Sequence, residues 1–199
     1  MTTRNLMIPT GKWLISLLLL CLFANPGFGA DYKFEPVHTQ ILFFCDHLGF
    51  SKSQGEFLQF DGAFSFDTND IAASKVDITI DTASIDMDHQ KWNDHMKNED
   101  FFDVEKFPTM TFISNKIEPL SSNTMNVHGD LTILGHTELV VLNVTYNKSG
   151  KHPFSGKYTA GFSATTQVKR SLFGMTYGLP ALGDDIEIRL EVEGQKITQ

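Results

Sequence analysis

Between Lys75 and Asp81 every second residue is apolar: Val76, Ile78 and Ile80 alternate with Lys75, Asp77, Thr79 and Asp81. The same period returns near the C-terminus, where Ile186, Ile188, Leu190 and Val192 alternate with Glu187, Arg189, Glu191 and Glu193. A pleated strand sends successive side chains to opposite faces, so these runs specify strands with one dry face and one wet face. Six further stretches read as strands: Ile41 to Leu48, Gly55 to Asp67, Thr109 to Ile117, Thr124 to Ile133, Glu138 to Tyr146 and Tyr158 to Lys169. Turn-rich segments separate them, at Gly49 to Gly55, Asp67 to Asp70, Pro119 to Asn123, Gly135-His136 and Asn147 to Gly150. Within the second strand Phe57 and Phe60 are out of phase, which predicts a bulge or bend near Asp61-Gly62. Eight antiparallel strands with one-sided alternation predict an all-β domain, either a closed barrel or a sandwich. A barrel of eight is just wide enough to be filled by its own side chains or to hold one slender ligand.

One helix interrupts this pattern, predicted over Asp88 to Asn98, with Trp92, His95 and Met96 on a single face. It runs into Asn98 to Ser114, which gathers Phe101, Phe102, Phe107 and Phe112 around Pro108. A helix cannot pass simply through that proline into a strand, so this aromatic junction is expected to close or line one end of the apolar space.

The first residues have another character. Arg4 and Lys12 precede an apolar run from Trp13 to Ala24 that is too short to span a membrane, and small residues follow at Gly27 and Gly29. This predicts an export signal over residues 1–29 and one mature domain over 30–199, in the periplasm or secreted. Cys21 is not expected to carry lipid, because Leu20 before it is not small. The whole chain has a net charge of −8, with 16 basic and 24 acidic residues. Without Arg4 and Lys12 the mature part is −10, a surface that repels phosphate backbones. No nucleic-acid partner and no stable membrane insertion are expected. Cys45 is the sole cysteine beyond the signal, so no intrachain disulfide staples the fold. Fifteen of the 17 phenylalanines lie in the mature part, enough for a Phe-packed core or for a cavity that takes an apolar ligand.

Catalytic and metal signals are weak. His89 and His95 are six apart and fall on different helix faces, and Asp86-x-Asp88 lacks the rest of a calcium loop. Cys45 and His47 share a strand face, but a buried thiol beside a backbone-bonded histidine explains them. Gly161-Phe162-Ser163-Ala164-Thr165 is not a nucleophile elbow, since the closing glycine is missing. No catalytic residue, no metal and no cofactor are expected.

A set of motifs in fixed order carries a resemblance. They are His38 with Ile41, Phe43 and His47-Leu48-Gly49; Gly55-x-Phe57 with Phe60 and Gly62; Asp81-Thr82; His95 through Asp100-Phe101-Phe102-Asp103-Val104; Phe107-Pro108; Phe112 and Ser114; Gly129-Asp130-Leu131-Thr132 with Gly135; and Arg170-Ser171-x-Phe173-Gly174-Met175. In these the chain resembles the YceI-like family of periplasmic, lipocalin-like polyisoprenoid-binding proteins, over essentially all of Asp31 to Glu193. The resemblance implies an extended eight-stranded antiparallel lipocalin-like barrel with one short helical insertion. Its tunnel would hold a long polyprenyl or quinone-like lipid for transport, storage or sensing, without catalysis. Two departures are Leu172 and Asn143, where the family usually has acids; these bear on head-group preference.

On the inward faces, Phe43, Phe57, Phe64, Val76, Ile78, Ile80, Phe112, Leu131, Val140, Leu142, Phe162, Ile186 and Ile188 are expected to line the tunnel. Trp92, Met96, Phe101 and Phe102 are expected at the mouth as a mobile cap, and Arg170 as the hook for an anionic head group, since a guanidinium forks onto phosphate. The alternatives are a fatty acid or fatty amide in the same tunnel, or a filled barrel acting as a stress-response interaction module; homodimerisation is left open.

Overall fold

The structure is a computed structural model and describes residues 29–197, so the predicted signal at 1–29 lies almost wholly outside the described residues. The strands are β1 (Ala30–Phe34), β2 (Gln40–His47), β3 (Ser51–Phe57), β4 (Phe60–Phe66), β5 (Lys75–Asp81), β6 (Ile85–Asp86), β7 (Thr109–Pro119), β8 (Thr124–Ile133), β9 (His136–Lys151), β10 (Tyr158–Lys169) and β11 (Leu182–Lys196). The helix α1 is Gln90–Met96, shorter at both ends than the sequence predicts. All strand pairings are antiparallel, and the ring β1-β4-β5-β7-β8-β9-β10-β11 closes where β1 pairs with β11. Beside it, β2 also pairs with β11, β3 with β2, and β6 with β3.

These pairings make eight staves, three of them broken in two. β1 and β2 run in line along β11, β3 and β4 along β2 and β1, and β5 and β6 along β4 and β3. The predicted eight-stranded all-β barrel with a helical insertion is therefore the observed fold.

Several boundaries differ from expectation. The phase conflict of Phe57 and Phe60 is resolved by a break at Leu58-Gln59, whereas Gly62 stays paired to Ile78. Gly62 does adopt a left-handed backbone (φ 149°), and a Cβ there would strike the Asp77 carbonyl. The Gly49 to Gly55 segment turns only at its start, and from Ser51 onward it pairs with β2. Asn147 to Gly150, expected as a loop, continues β9, because the β9–β10 hairpin stays paired out to Lys151 and Tyr158.

Two apolar clusters fill the barrel wall. One joins Tyr32, Phe34, Phe64, Phe66, Ile117, Met125 and Val127 and extends to Leu131, Val140 and Phe173. The other joins Ile41, Phe57, Ile80, Ile85, Met87, Phe101, Phe102, Met110 and Met175. Phe60, Ile78 and Ile133 pack against both, so the two meet midway along the barrel. Inward-facing glycines let rings lie flat on the wall: a Cβ on Gly55 would overlap the Phe43 ring, one on Gly129 the Phe112 ring, and one on Gly194 the Phe64 ring. A ring laid over a cross-strand glycine covers its exposed backbone.

Candidate functional site: an apolar bore

A cavity of about 480 Å³ runs along the barrel axis. Its wall extends from Ser65, Phe66, Ser74 and Lys75 at one end to Asp46, His47, Trp92, His95 and Tyr177 at the other. Between these ends the lining is almost entirely hydrocarbon and aromatic. Hollowness also shows in accessibility. Phe43, Val76, Ile78, Leu142, Phe162, Ile186 and Ile188 belong to the wall, yet are only partly buried, because the space they face is unfilled. In a close-packed interior such residues would lose nearly all contact with solvent.

All the residues predicted for the tunnel lie on this wall: Phe43, Phe57, Phe64, Val76, Ile78, Ile80, Phe112, Leu131, Val140, Leu142, Phe162, Ile186 and Ile188. So do Trp92, Met96, Phe101, Phe102 and Arg170. Sequence reasoning missed Val144, Val168, Leu190 and Val192, which the same alternation could have supplied, and Met87, Met175, Tyr177 and Leu182. Met175 and Tyr177 come from the irregular segment between β10 and β11, where no period exists to read.

The two ends are built differently. At the end reached by the β4–β5 turn, aromatic rings interlock: Tyr32 stacks on Phe64 at 4.9 Å, Phe66 lies 4.9 Å from both Tyr146 and Phe162, and Phe64 meets Phe162 edge-on at 5.4 Å. At the other end the closure comes from α1 and the loops. Phe101 and Phe102, expected in a mobile cap, are instead buried. Phe102 meets Phe57 edge-on at 5.3 Å, and Phe101 packs at 5.3 Å from Tyr177 and 5.0 Å from His95, whose Nε2 lies 3.0 Å from Asp100 Oδ2. Trp92 alone of the four is exposed, with its ring 6.2 Å from His47.

Arg170 departs furthest from expectation. It is 5% exposed, and its Nε donates to the Gly183 carbonyl (2.8 Å), Nη1 to Met175 (3.1 Å) and Nη2 to Tyr177 (2.9 Å) and Leu182 (3.2 Å). The fork predicted to seize a phosphate is occupied by backbone carbonyls of the 175–183 segment. Arg170 thus works as a clamp that folds the 174–182 segment over the barrel end. Beside it Ser171 donates from its amide and hydroxyl to Asp184, each at 2.9 Å. Burial pushes the Asp184 carboxyl up, but the Ser171 bonds and the nearby Lys169 and Arg170 charges outweigh it and hold the pKa below the usual aspartate value.

The clamp also seals a seam. The ladder between β9 and β10 stops at Asn143 and Thr165, leaving Thr137 to Leu142 paired only to β8 and Thr166 to Lys169 paired only to β11. The short 3-10 turn Arg170–Phe173 packs against β9 here, and Phe173, 1% exposed, joins the cluster of Phe112, Leu131 and Val140. Neither departure from the family pattern faces the bore: Leu172 is exposed, and Asn143 belongs to a separate, more polar cleft with Phe44, Lys52, Gln167 and Glu187.

Cys45 is a wall residue whose Sγ lies 3.5 Å from the Gly183 carbonyl, and burial pushes its thiol up, away from thiolate chemistry. For metals, the structure assembles a trio the sequence reading did not consider: ligand atoms of Glu35, His38 and Glu193 lie within 4.8 Å of one another. The Glu35 carboxylate already accepts from the His38 amide (2.9 Å) and Nδ1 (2.8 Å), a local turn that accounts for its placement.

A family model described as YceI-like domain matches residues 32–194, nearly the whole barrel. The chain belongs to the YceI-like family. A UPF0312 protein of Ectopseudomonas mendocina is 37% identical over 175 residues, covering 87% of this chain and 91% of that protein. Among solved structures, Burkholderia cenocepacia BcnA superposes with a TM-score of 0.73 at 27% identity, over 80% of this chain and 98% of BcnA. A polyisoprenoid binding domain from Saccharophagus degradans has the same fold, with a TM-score of 0.64 at 10% identity, over 84% of this chain and 99% of that one. The motifs that carried the resemblance now have places in a YceI-like barrel. Gly55 and Gly129 seat rings on the wall, Phe101-Phe102 plugs one end, and Arg170 to Met175 clamps the seam.

Proposed function

We propose that this YceI-like protein is a non-catalytic carrier, exported to the periplasm, that holds a long-chain isoprenoid lipid in its bore. The observation that carries this reading is the 480 Å³ axial cavity walled by Phe, Ile, Leu, Val and Met. Each five-carbon prenyl unit contributes about 4 kcal/mol of gross burial, at roughly 0.8 kcal/mol per carbon. A few units exceed the cost of immobilising the chain, on the order of 4–15 kcal/mol. Such a wall offers only shape and dispersion, so affinity rises with chain length and selectivity falls to the polar groups at the α1 end. There His47, His95 and Tyr177 belong to the wall where a head group would emerge. The Saccharophagus degradans domain, named for polyisoprenoid binding, gives a precedent for this fold holding such a chain. The unfilled interior weighs against a solid-barrel interaction module.

Trp92, at the α1 end of the wall, is a reporter for the test. Titrating delipidated protein with prenyl alcohols of increasing length should change its emission, with affinity rising per added unit until the bore is full. A flat response to every prenyl alcohol would refute the reading. Tighter binding of a straight fatty acid or amide than of a prenyl alcohol with equal carbon count would reassign the ligand.

A further inference from the structure

Around the α1 end, large apolar side chains stand in water. Phe50 is 89% exposed and Leu48 49% on the β2–β3 hairpin, Leu172 54% beside the clamp, Trp92 45% on α1 and Tyr177 45% on the clamped loop. They come from four segments that converge. Leu48 donates its amide to the Ala181 carbonyl, His47 pairs with Leu182 and neighbours Trp92, and Tyr177 packs against His95 at 5.3 Å. Trp92 and Tyr177 are at once exposed and part of the bore wall, so the apolar lining continues onto the surface here. At the opposite end, Lys75 is the exposed wall residue among those described, and the rings interlock behind it.

We propose that this rim is a docking surface for a lipid bilayer, with the bore opening against the hydrocarbon it exchanges with. The idea rests on the carrier reading above. A prenyl chain that left a membrane through water would expose each of its units, whereas a rim seated in the interface passes it from one apolar medium to another. Aromatic and aliphatic side chains on separate loops suit that interface, because each apolar body enters hydrocarbon while its backbone stays with water. Charge selects the kind of surface. On the same segments Asp46, Asp88, Asp94, Asp184 and Asp185 are matched by Lys52, Lys91, Lys97, Lys169 and Arg170, so the rim has no net charge and fits zwitterionic head groups, while the −10 of the chain beyond residue 29 disfavours anionic ones.

The test uses the chain from Ala30 onward, because both core clusters are assembled from residues between Ala30 and Val192. It is floated with vesicles of phosphatidylcholine and phosphatidylethanolamine containing no prenyl lipid. The expected result is co-flotation, weakened about tenfold by Phe50→Ser and severalfold by Leu172→Ser. Phe154→Ser, at the tip of the far β9–β10 hairpin, should leave it unchanged, and adding phosphatidylglycerol should weaken it. Absence of flotation, equal loss with Phe154→Ser, or sedimentation showing the rim buried between two copies of the chain would overturn the proposal. Uptake of farnesol from solution, read by native mass spectrometry, tells the two readings apart. Farnesol uptake without flotation removes the docking surface and keeps the carrier; flotation without farnesol uptake removes the carrier.

Discussion

The two ends of the barrel solve the same closure problem with different materials. At the far end the stop is strand-borne: Tyr32, Phe64, Phe66, Tyr146 and Phe162 project from paired strands and interlock at 4.9–5.5 Å. At the α1 end the stop is loop-borne, with Phe101 and Phe102 seated among Met87, Met110 and Met175 and held by the Arg170 clamp. Rings that pack on one another from paired backbone shift only at the cost of those contacts. Methionines are flexible and fill irregular gaps, so a plug set among them can re-pack around a chain passing by. The difference separates an end closed by the barrel ladder from one closed by loops and α1, and the mouth proposed above is the loop-built one.

The sharpest way to break this comparison is to truncate one ring at each end. Phe64→Ala should cost about 3–5 kcal/mol in urea unfolding, because it removes a stack on Tyr32 and an edge contact to Phe162 where nothing can collapse inward. Phe102→Ala should cost less, about 2–3 kcal/mol, since the neighbouring methionines move into the space, and it should speed lipid uptake. Equal costs at the two ends would erase the distinction. Next in size, Arg170→Met should cost about 1–3 kcal/mol by orphaning loop carbonyls, and limited proteolysis should then cut first between Thr176 and Gly183. Unchanged proteolysis would mean that the loop does not depend on the clamp.

The smallest effect is one of pH. The folded-state pKa of Asp184 lies below its unfolded value, so its contribution is whole above the ordinary aspartate pKa and fades as pH falls through the lowered one. Thermal midpoints recorded on acidification should show an end-specific loss that Asp184→Asn removes. Identical acid profiles for the two proteins would exclude a role for the Ser171–Asp184 pair.

The eight-stranded all-β barrel and its inward faces were legible because period-two alternation reports directly on which face is dry. Val76, Ile78 and Ile80 needed no structure to be placed. The broken staves were not legible, since nothing local at Leu58-Gln59 says that the chain steps from one partner strand to the next. The polar tip of β9 was read as loop because Asn147 to Gly150 form strand only through their partner β10. Arg170 shows the deepest limit. Its residue type predicts an anion, whereas its function in the fold comes from four carbonyls that converge only after residues 175–183 have turned back over it.

The central claim is that the bore holds an isoprenoid chain, and organic extraction of protein purified from its native cells, followed by mass spectrometry, tests it most directly. The account predicts release of a prenyl lipid from the native protein, and its loss from an Ile188→Trp variant that fills the bore and still folds. An extract free of prenyl lipid, or one unchanged by Ile188→Trp, would contradict it.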